Sequence, residues 1–264
     1  MHAPAANVIP VDLLLRAYRA GVFPMADHRS DPEVYWVEPR ERAVIPLDGF
    51  RVSTSLRKTL RQDRFTVTCD RDFAGVIAAC AQPREEHAES WISHRIEASY
   101  NALHHAGHAH SIECWLDGEL AGGLYGVAFD RVFCGESMFS RATDASKVAL
   151  AWLVAAMRDA GYRLLDCQFM TDHLATMGAM ALPQAGYLEL LSGAMGQPRC
   201  SIPAAMARYS AASSAAAGAS AAGAGAAAAG EGAAAGAGSP RSSPRAEPPS
   251  SPGKLIAQSL TQTS

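Results

Sequence analysis

The chain has 264 residues, of which 48% are hydrophobic and 19% charged, and its formal net charge is −3 at pH 7. This length fits one large or two modest domains, and the apolar content is enough for a core. Residues 1–202 hold 19 basic and 24 acidic residues, which excludes a nucleic-acid-binding protein that works by overall positive charge. Any contact with RNA or DNA would need a local basic patch.

The six cysteines stand singly within apolar runs, and no C-x-x-C pair occurs. This pattern favours buried thiols in a reducing compartment over a zinc site or a disulfide framework. The N-terminal residues lack a positive segment followed by a long apolar stretch. We therefore expect a cytosolic protein that does not span a membrane.

Residues 1–88 are predicted to form a small α+β domain. Four prolines between residues 24 and 46 forbid a long helix in that segment. The elements predicted from apolar spacing are a helix over 11–20 that ends at Gly21, a helix over 53–61, a strand over 65–69 and a helix over 72–81.

Residues 89–202 are predicted to form a second domain with an acetyltransferase-like mixed sheet. Asp117-Gly118 is a strong hairpin signal between two strands. The other predicted elements are an amphipathic helix through Ile96, Tyr100 and Leu103, a third strand at RVFCGES, a helix over 144–160 closed by Gly161 and a buried strand at YRLLDCQF. Antiparallel strands followed by a helix and another strand are the order found in acetyltransferases.

Residues 203–264 are rich in Ala, Gly and Ser and then in Pro and Ser. Because they offer few large side chains to bury, we predict a disordered tail. The apolar run LIAQSL near its end leaves partner binding open as the alternative to a passive tail.

Two further motifs have structural and functional interpretations. His104 and His108 would share a helix face, but Gly107 breaks the helix between them, so structural histidines are favoured over a metal site. Gly122, Gly123 and Gly126 fall inside a strand, where glycine is typical of a bulge or a close backbone approach rather than of a phosphate loop.

Three polar side chains fall in predicted strands with apolar neighbours. Asp166 and Gln168 are two residues apart, so a regular strand would place them on one face with Cys167 on the other. Glu136 lies in the third strand. Burying such groups is costly unless they are hydrogen-bonded. They are either satisfied core polar groups or parts of a site, and three in one sheet favour a site.

Several stretches carry a family resemblance in order across residues 8–192. They are LLLRAYRAGVFPM, YWVEPRERAVIPL, WISHRIEASYNALHHAGHAHSIECW, LAGGLYGVAF, RVFCGESMFSRATDASKVALAWL, LLDCQFMTDHLATMGA and the following ALP. The most specific are FCGESMFS with DASK, and LDCQ-x-x-T-x-H-L. Together the stretches resemble the leucyl/phenylalanyl-tRNA–protein transferase family.

The resemblance implies a bacterial cytosolic aminoacyltransferase of the N-degron pathway. It would move Leu, Phe or Met from charged tRNA to the α-amine of proteins with an N-terminal Arg or Lys. No metal or diffusible cofactor is implied, and we expect a monomer. Two departures from the family pattern are Met25, where many members have Trp, and Gln184, where many have Arg.

The resemblance also assigns site residues. Asp166 would take a proton from the attacking amine or hold its charge, Gln168 would bind the amine and the oxyanion, and Glu136 would orient Gln168 or the aminoacyl amino group. Trp91 would stack on the terminal adenosine. The candidates for a pocket around the aminoacyl side chain are Leu124, Phe133, Met138, Leu153 and Leu165. Ordinary core packing is the alternative for each of these five residues, and a structural role is the alternative for Trp91.

Two charged surfaces complete the expectation. The tRNA body would contact Arg57, Lys58, Arg61 and Arg64, for which a solvated helix face is the alternative. Candidates for the acidic surface that binds the acceptor are Glu113, Asp117, Glu119 and Asp130. Two other functions stay open, namely an aminoacyltransferase acting on a cell-wall peptide and a tRNA-binding module without catalysis.

Overall fold

The structure is a computed structural model that describes residues 8–83, 89–209, 211 and 251–261. The helices are α1 (Val11–Arg19), α2 (Thr54–Arg61), α3 (Phe73–Cys80), α4 (His94–His105), α5 (Ala145–Ala160), α6 (Asp172–Thr176), α7 (Gln184–Gly193), α8 (202–209) and α9 (Pro252–Ser259). The strands are β1 (Phe23–Met25), β2 (Tyr35–Val37), β3 (Glu41–Ile45), β4 (Thr66–Cys69), β5 (Ala109–Leu116), β6 (Glu119–Phe129), β7 (Val132–Ser140), β8 (Leu164–Gln168) and β9 (Met180–Pro183).

Seven strands form one mixed sheet in the order β4-β5-β6-β7-β8-β3-β9. The β7–β8 pair is parallel, and α5 connects these two strands. The other neighbours in this sheet are antiparallel. The predicted α+β class with a mixed sheet is confirmed, whereas its likeness to acetyltransferases stays a prediction.

The predicted division at residue 88 stays a prediction as well. β3 and β4 precede that residue, but both are hydrogen-bonded strands of the sheet that also contains β5 to β8. The proline-rich segment forms no helix, as expected, but β3 within it was not predicted. It inserts between β8 and β9.

The strongest local signals predicted their elements correctly. Asp117 and Gly118 have φ angles of +52° and +85° in the turn between β5 and β6, as a two-residue hairpin turn with two left-handed residues requires. Gly161 has φ +78° at the C-terminal end of α5, where glycine ends a helix without steric cost.

The in-strand glycines permit close packing. A Cβ at Gly126 would lie 2.2 Å from the Cys134 carbonyl oxygen, and one at Gly123 would lie 2.7 Å from that of Ile112. The predicted close backbone approach is therefore confirmed.

His104 on α4 stacks on Phe73 with ring centroids 4.3 Å apart. This contact agrees with the structural interpretation of that histidine.

The hydrophobic core has two layers, one on each face of the sheet. Leu124 belongs to the layer with α2, α5, α8 and α9, and its neighbour Tyr125 belongs to the layer with α1, α3, α4 and α7. Successive strand residues point to opposite faces, so one strand supplies both layers. None of the helices in the described ranges is both long and apolar enough to cross a bilayer.

The prediction of a disordered tail from residue 203 is wrong for two stretches. Residues 202–209 are helical, with Ile202 and Met206 buried. Most of the apolar run near the end lies in α9, and Ile256 within the helix and Leu260 just after it are buried against the core of the same chain. Most of the remaining predicted tail lies outside the described residues, namely 210, 212–250 and 262–264. Residue 211 is described, but the residues on either side of it are not.

Candidate active site

A cavity of about 910 Å³ opens beside the parallel pair β7–β8. Its position follows from the strands, because β8 ends at Gln168 while β7 continues to Ser140 beside β6. Much of its lining is apolar, from Leu124, Met138, Leu150, Leu153, Leu165 and Leu174. Burial of a ligand side chain on such a surface is favourable.

Most of the predicted site residues line this cavity. Those brought together are Trp91, Leu124, Glu136, Met138, Leu153, Leu165 and Gln168. Phe133 and Asp166 are not among its lining residues. The Phe133 ring is fully buried in the core, where it fills the space beside Gly126.

Glu136 is directed by a bulge in β7. Tyr125 pairs with Ser137 and Gly126 pairs with Gly135, so Glu136 is the extra residue between them. A bulge bends its strand and redirects a side chain, and bulges are frequent next to active sites. The carboxylate is 8% exposed and lines the cavity.

Two tyrosines hold the Glu136 carboxylate. The Tyr18 hydroxyl from α1 donates to Oε1 at 2.7 Å, and the Tyr100 hydroxyl from α4 donates to Oε2 at 3.1 Å. Burial raises the pKa of Glu136 to about 7, and the hydroxyls of Tyr18 and Tyr100 together with the nearby amide of Gln168 limit that rise. Glu136 can therefore change protonation state near neutral pH.

Asp166 forms a buried ion pair with Arg42. Arg42 on β3 approaches it with Nη2 2.7 Å from Oδ2, and the two side chains are 1% and 0% exposed. Tyr187 donates to Oδ2 at 3.0 Å, and the Arg42 guanidinium lies between the rings of Phe23 and Tyr187. Asp166 thus has no face on the cavity where an attacking amine could meet it.

Gln168 departs from regular strand geometry. Its φ is +61°, a left-handed conformation that is uncommon for residues other than glycine. The Gln168 N–H donates to Asp166 Oδ1 at 2.8 Å, which fixes this turn. Cys167 and Gln168 line the cavity, whereas Asp166 does not. The prediction that Asp166 and Gln168 share one face of the strand stays a prediction, because the cavity is lined from both faces of the sheet, by Leu124 and by Tyr125.

The Gln168 amide supplies a donor inside the cavity. Its Nε2 is buried and makes no hydrogen bond of good geometry with any residue in the described ranges, although Gln168 is near enough to lower the pKa of Glu136. A buried donor without an acceptor costs free energy. The site therefore holds a group that is satisfied when a ligand brings an oxygen.

The cavity mouth joins aromatic and basic residues. Met25 and Trp91 both line it, and the Ala26 N–H donates to the Trp91 carbonyl at 3.3 Å. Arg141 and His173 line another side. Burial and the charge of Lys147 lower the pKa of His173.

The predicted basic residues lie on α2 and just beyond it. Lys58, Arg61 and Arg64 are exposed, and Arg57 is half-buried. Arg64 donates to the Thr143 carbonyl at 3.5 Å. Arg64, just beyond α2, therefore contacts a residue two positions from Arg141, which lines the cavity.

The four predicted acceptor-binding acids do not line the cavity. Asp117 and Glu119 are exposed at the hairpin turn. Glu113 is fully buried and accepts from Ser111 and Thr68, and Asp130 pairs with Arg19 at 2.9 Å. Gln184, which stands where many family members have Arg, donates through Nε2 to the Glu38 carboxylate at 2.5 Å.

Sequence reasoning missed the groups that hold the site. Tyr18 and Tyr100 are spaced like ordinary core residues of α1 and α4, and Arg42 follows prolines in a segment where no strand was predicted. Their polar partners are 118, 36 and 124 residues away in sequence. No local pattern indicates such pairings.

An apolar cavity flanked by a buried carboxylate and by an amide donor that has no acceptor in the described part of the chain is typical of an enzyme active site. The sequence profile described as leucyl/phenylalanyl-tRNA protein transferase matches residues 44–192, and the profile of that enzyme's N-terminal domain matches residues 8–40. The chain belongs to the leucyl/phenylalanyl-tRNA protein transferase family, so the resemblance drawn from the motifs is confirmed.

Curated relatives agree with this assignment. The leucyl/phenylalanyl-tRNA–protein transferase of Novosphingobium aromaticivorans is 58% identical over 258 residues, which cover 98% of each chain. That of Rhizorhabdus wittichii is 58% identical over 190 residues, covering 72% of this chain and 77% of the relative. That of Zymomonas mobilis is 56% identical over 189 residues, covering 72% and 70%.

Proposed function

We propose that the chain transfers Leu, Phe or Met from charged tRNA to the α-amine of proteins with N-terminal Arg or Lys, marking them for degradation in the cytoplasm. We propose that it acts as a monomer. The observation that carries this proposal is the cavity itself, in which an apolar surface adjoins Glu136 and the unpaired Gln168 amide.

The apolar surface suits the side chains of these donors. Leu, Phe and Met are apolar and unbranched at Cβ, so they can extend between Met138, Leu150 and Leu153. Methionine is flexible and adapts its shape to different partners. One pocket can therefore accept both an aliphatic and an aromatic side chain.

The polar side of the cavity suits aminoacyl transfer. The acceptor nitrogen attacks the ester carbonyl carbon, the bond to the ribose oxygen breaks, and the proton lost by the amine is balanced by one gained by the ribose hydroxyl. The Gln168 amide oxygen accepts from the amine, and its Nε2 donates to the oxyanion. Such a donor is worth about 2.7–4 kcal/mol in the transition state.

The buried ion pair changes the role proposed for Asp166. Because Arg42 and Tyr187 occupy its carboxylate, Asp166 acts as a positioning residue that holds Gln168 through its backbone N–H. Glu136 binds the amino group of the aminoacyl donor. Its pKa of about 7 lies close to the value of about 7.7–8.0 for an α-amine, so protons can be exchanged between them near neutral pH.

The tRNA path follows from the cavity mouth. Adenine stacks on Trp91, and stacking on an aromatic ring is worth about 1–3 kcal/mol. Arg141 and His173 at the mouth receive the backbone of the 3′ end, and the exposed cations of α2 receive the body of the tRNA.

The two alternative functions are disfavoured. A tRNA-binding module without catalysis needs no amide donor in its cavity that lacks an acceptor among the described residues. An aminoacyltransferase acting on a cell-wall peptide is not what the family's name describes.

The test is a matrix of donors and acceptors. The protein is incubated with leucyl-, phenylalanyl-, methionyl- or valyl-tRNA and with peptides that begin with Arg, Lys or Ala, and the products are identified by mass spectrometry. We expect Leu, Phe or Met on the Arg and Lys peptides alone. Absence of any peptide product, or equal modification of the Ala peptide, would contradict the proposal.

Replacing Met138 tests the pocket for the donor side chain. Met138→Ala should raise the apparent KM for leucyl- and phenylalanyl-tRNA about tenfold or more, because apolar contacts of this size are worth about 1–3 kcal/mol. Met180→Ala is the control, since Met180 is exposed on β9. Unchanged kinetics with both donors would assign Met138 to the ordinary core.

The protonation of Glu136 should shape the pH profile. Tyr18→Phe removes one of the hydrogen bonds that keep the Glu136 pKa from rising further. If transfer needs the carboxylate form, the acid limb of kcat/KM moves to higher pH in the variant. The acceptor amine contributes equally to both profiles, and Tyr162→Phe, at the other end of β8, serves as the control. A limb that stays in place or moves to lower pH would refute this role.

A further inference from the structure

The C-terminal helix α9 packs between α2 and α5. Its buried side is formed by Gly253, Ile256 and Ala257, and Leu260 just after it is buried as well. A Cβ at Gly253 would lie 2.0 Å from the carbonyl oxygen of Leu60 on α2. Only glycine therefore allows the backbones of α9 and α2 to approach this closely. This dependence on one residue type indicates a specific packing contact between the two helices.

Polar contacts fix both ends of α9. The Gly253 N–H donates to Asp63 Oδ1 at 2.7 Å, just after α2. Arg158 on α5 donates through Nη1 to the Ser259 carbonyl at 3.1 Å. These contacts satisfy an amide at the N-terminus of α9 and a carbonyl at its C-terminus, where helices leave such groups unpaired.

Two polar contacts join α2 and the residues just after it to the segment before α5. Thr59 lies 3.4 Å from Asp144 and Arg64 lies 3.5 Å from the Thr143 carbonyl, both long for hydrogen bonds. Leu56 and Leu60 form the buried side of α2. A helix held in this way gains a fixed orientation when α9 packs along it.

We propose that α9 is a positioning element for tRNA binding, which holds α2 so that its cations meet the tRNA body while the aminoacyl end lies in the cavity. The proposal rests on the proposed function. Lys58, Arg61 and Arg64 stay exposed with α9 in place, so α9 supports α2 without covering the surface that would contact phosphates.

The test compares a full donor with a minimal one. Gly253→Ala in the full-length protein opposes docking by the clash with Leu60, while alanine is a better helix former than glycine. Gln258→Ala, on the exposed side of α9, is the matched control. Ile256→Asp is a second variant, because a carboxylate at this fully buried position is incompatible with the docked helix. Each protein is assayed with leucyl-tRNA and with leucyl-adenosine, which lacks the tRNA body.

We expect both docking variants to raise KM for leucyl-tRNA about tenfold at unchanged kcat, and to weaken the salt dependence of tRNA affinity by about one phosphate contact. Their kinetics with leucyl-adenosine should match those of the wild type. Wild-type kinetics with both donors would overturn the proposal, and so would equal losses with both, which would assign α9 to general stability. Failure of the wild type to transfer from either donor would instead refute the proposed function.

Discussion

Gln168→Ala should lower kcat for transfer by about 10²–10³, with little change in donor binding, because it removes a hydrogen bond made to the developing oxyanion. The expectation rests on the buried Nε2, which finds no acceptor in the part of the chain that the structure describes. Single-turnover kinetics with leucyl-tRNA measures the loss directly. Gln197→Ala, an exposed glutamine outside the cavity, should leave the rate unchanged.

Asp166 and Gln168 should behave as one unit in this assay. Asp166→Asn should also slow transfer, because Asp166 accepts from the Gln168 N–H at Oδ1 and from Arg42 and Tyr187 at Oδ2, whereas asparagine has only one acceptor oxygen and cannot hold Gln168 and Arg42 together. The double variant should lose much less than the product of the single losses. Full activity in a folded Gln168→Ala protein, or strictly multiplicative losses, would show that the pair is not a catalytic unit. Circular dichroism establishes that each variant is folded.

Breaking the buried ion pair should have the largest effect on stability. Arg42→Met leaves the Asp166 carboxylate without its cation in a fully buried site, and we expect the free energy of unfolding to fall by about 3–5 kcal/mol. Arg42→Met combined with Asp166→Leu should recover much of that loss, since no uncompensated charge remains. Urea titration provides the measurement.

A surface pair provides the matched control for this prediction. Arg19→Met removes the partner of Asp130 on the outside of α1, where Arg19 is 41% exposed, and should cost only about 0–1 kcal/mol. An Arg42→Met protein as stable as the Arg19→Met protein would mean that the Arg42–Asp166 pair contributes no more than a solvated one.

The sequence predicted elements whose signals are local. The hairpin at Asp117-Gly118 and the end of α5 at Gly161 depend on left-handed residues at set positions, and both formed as expected. Most of the residues predicted for the site also line the cavity, including Glu136 and Gln168. These successes share one cause, since each depends on residues close together in the chain or on a recognisable motif.

The failures have a physical cause in long-range contacts. Asp166 was predicted to meet the attacking amine, but Arg42, 124 residues away in sequence, pairs with it in the core. Gln168 lies at the cavity with φ +61° at the strand end. α9 was missed because its eight residues, which follow a Pro/Ser-rich stretch, give too short an apolar pattern to indicate a docking site. Its packing depends on Gly253 fitting against Leu60.

A crystal structure with a stable leucyl-adenosine analogue, in which an amide replaces the ester, tests most directly whether this cavity is where transfer occurs. We predict that the leucyl side chain lies between Met138 and Leu153, that adenine contacts Trp91, and that the carbonyl oxygen accepts from Gln168 Nε2. A ligand bound elsewhere would contradict the assignment, for example in the groove at the other end of β8 that is lined by Arg131, Arg158, Arg163 and Arg199.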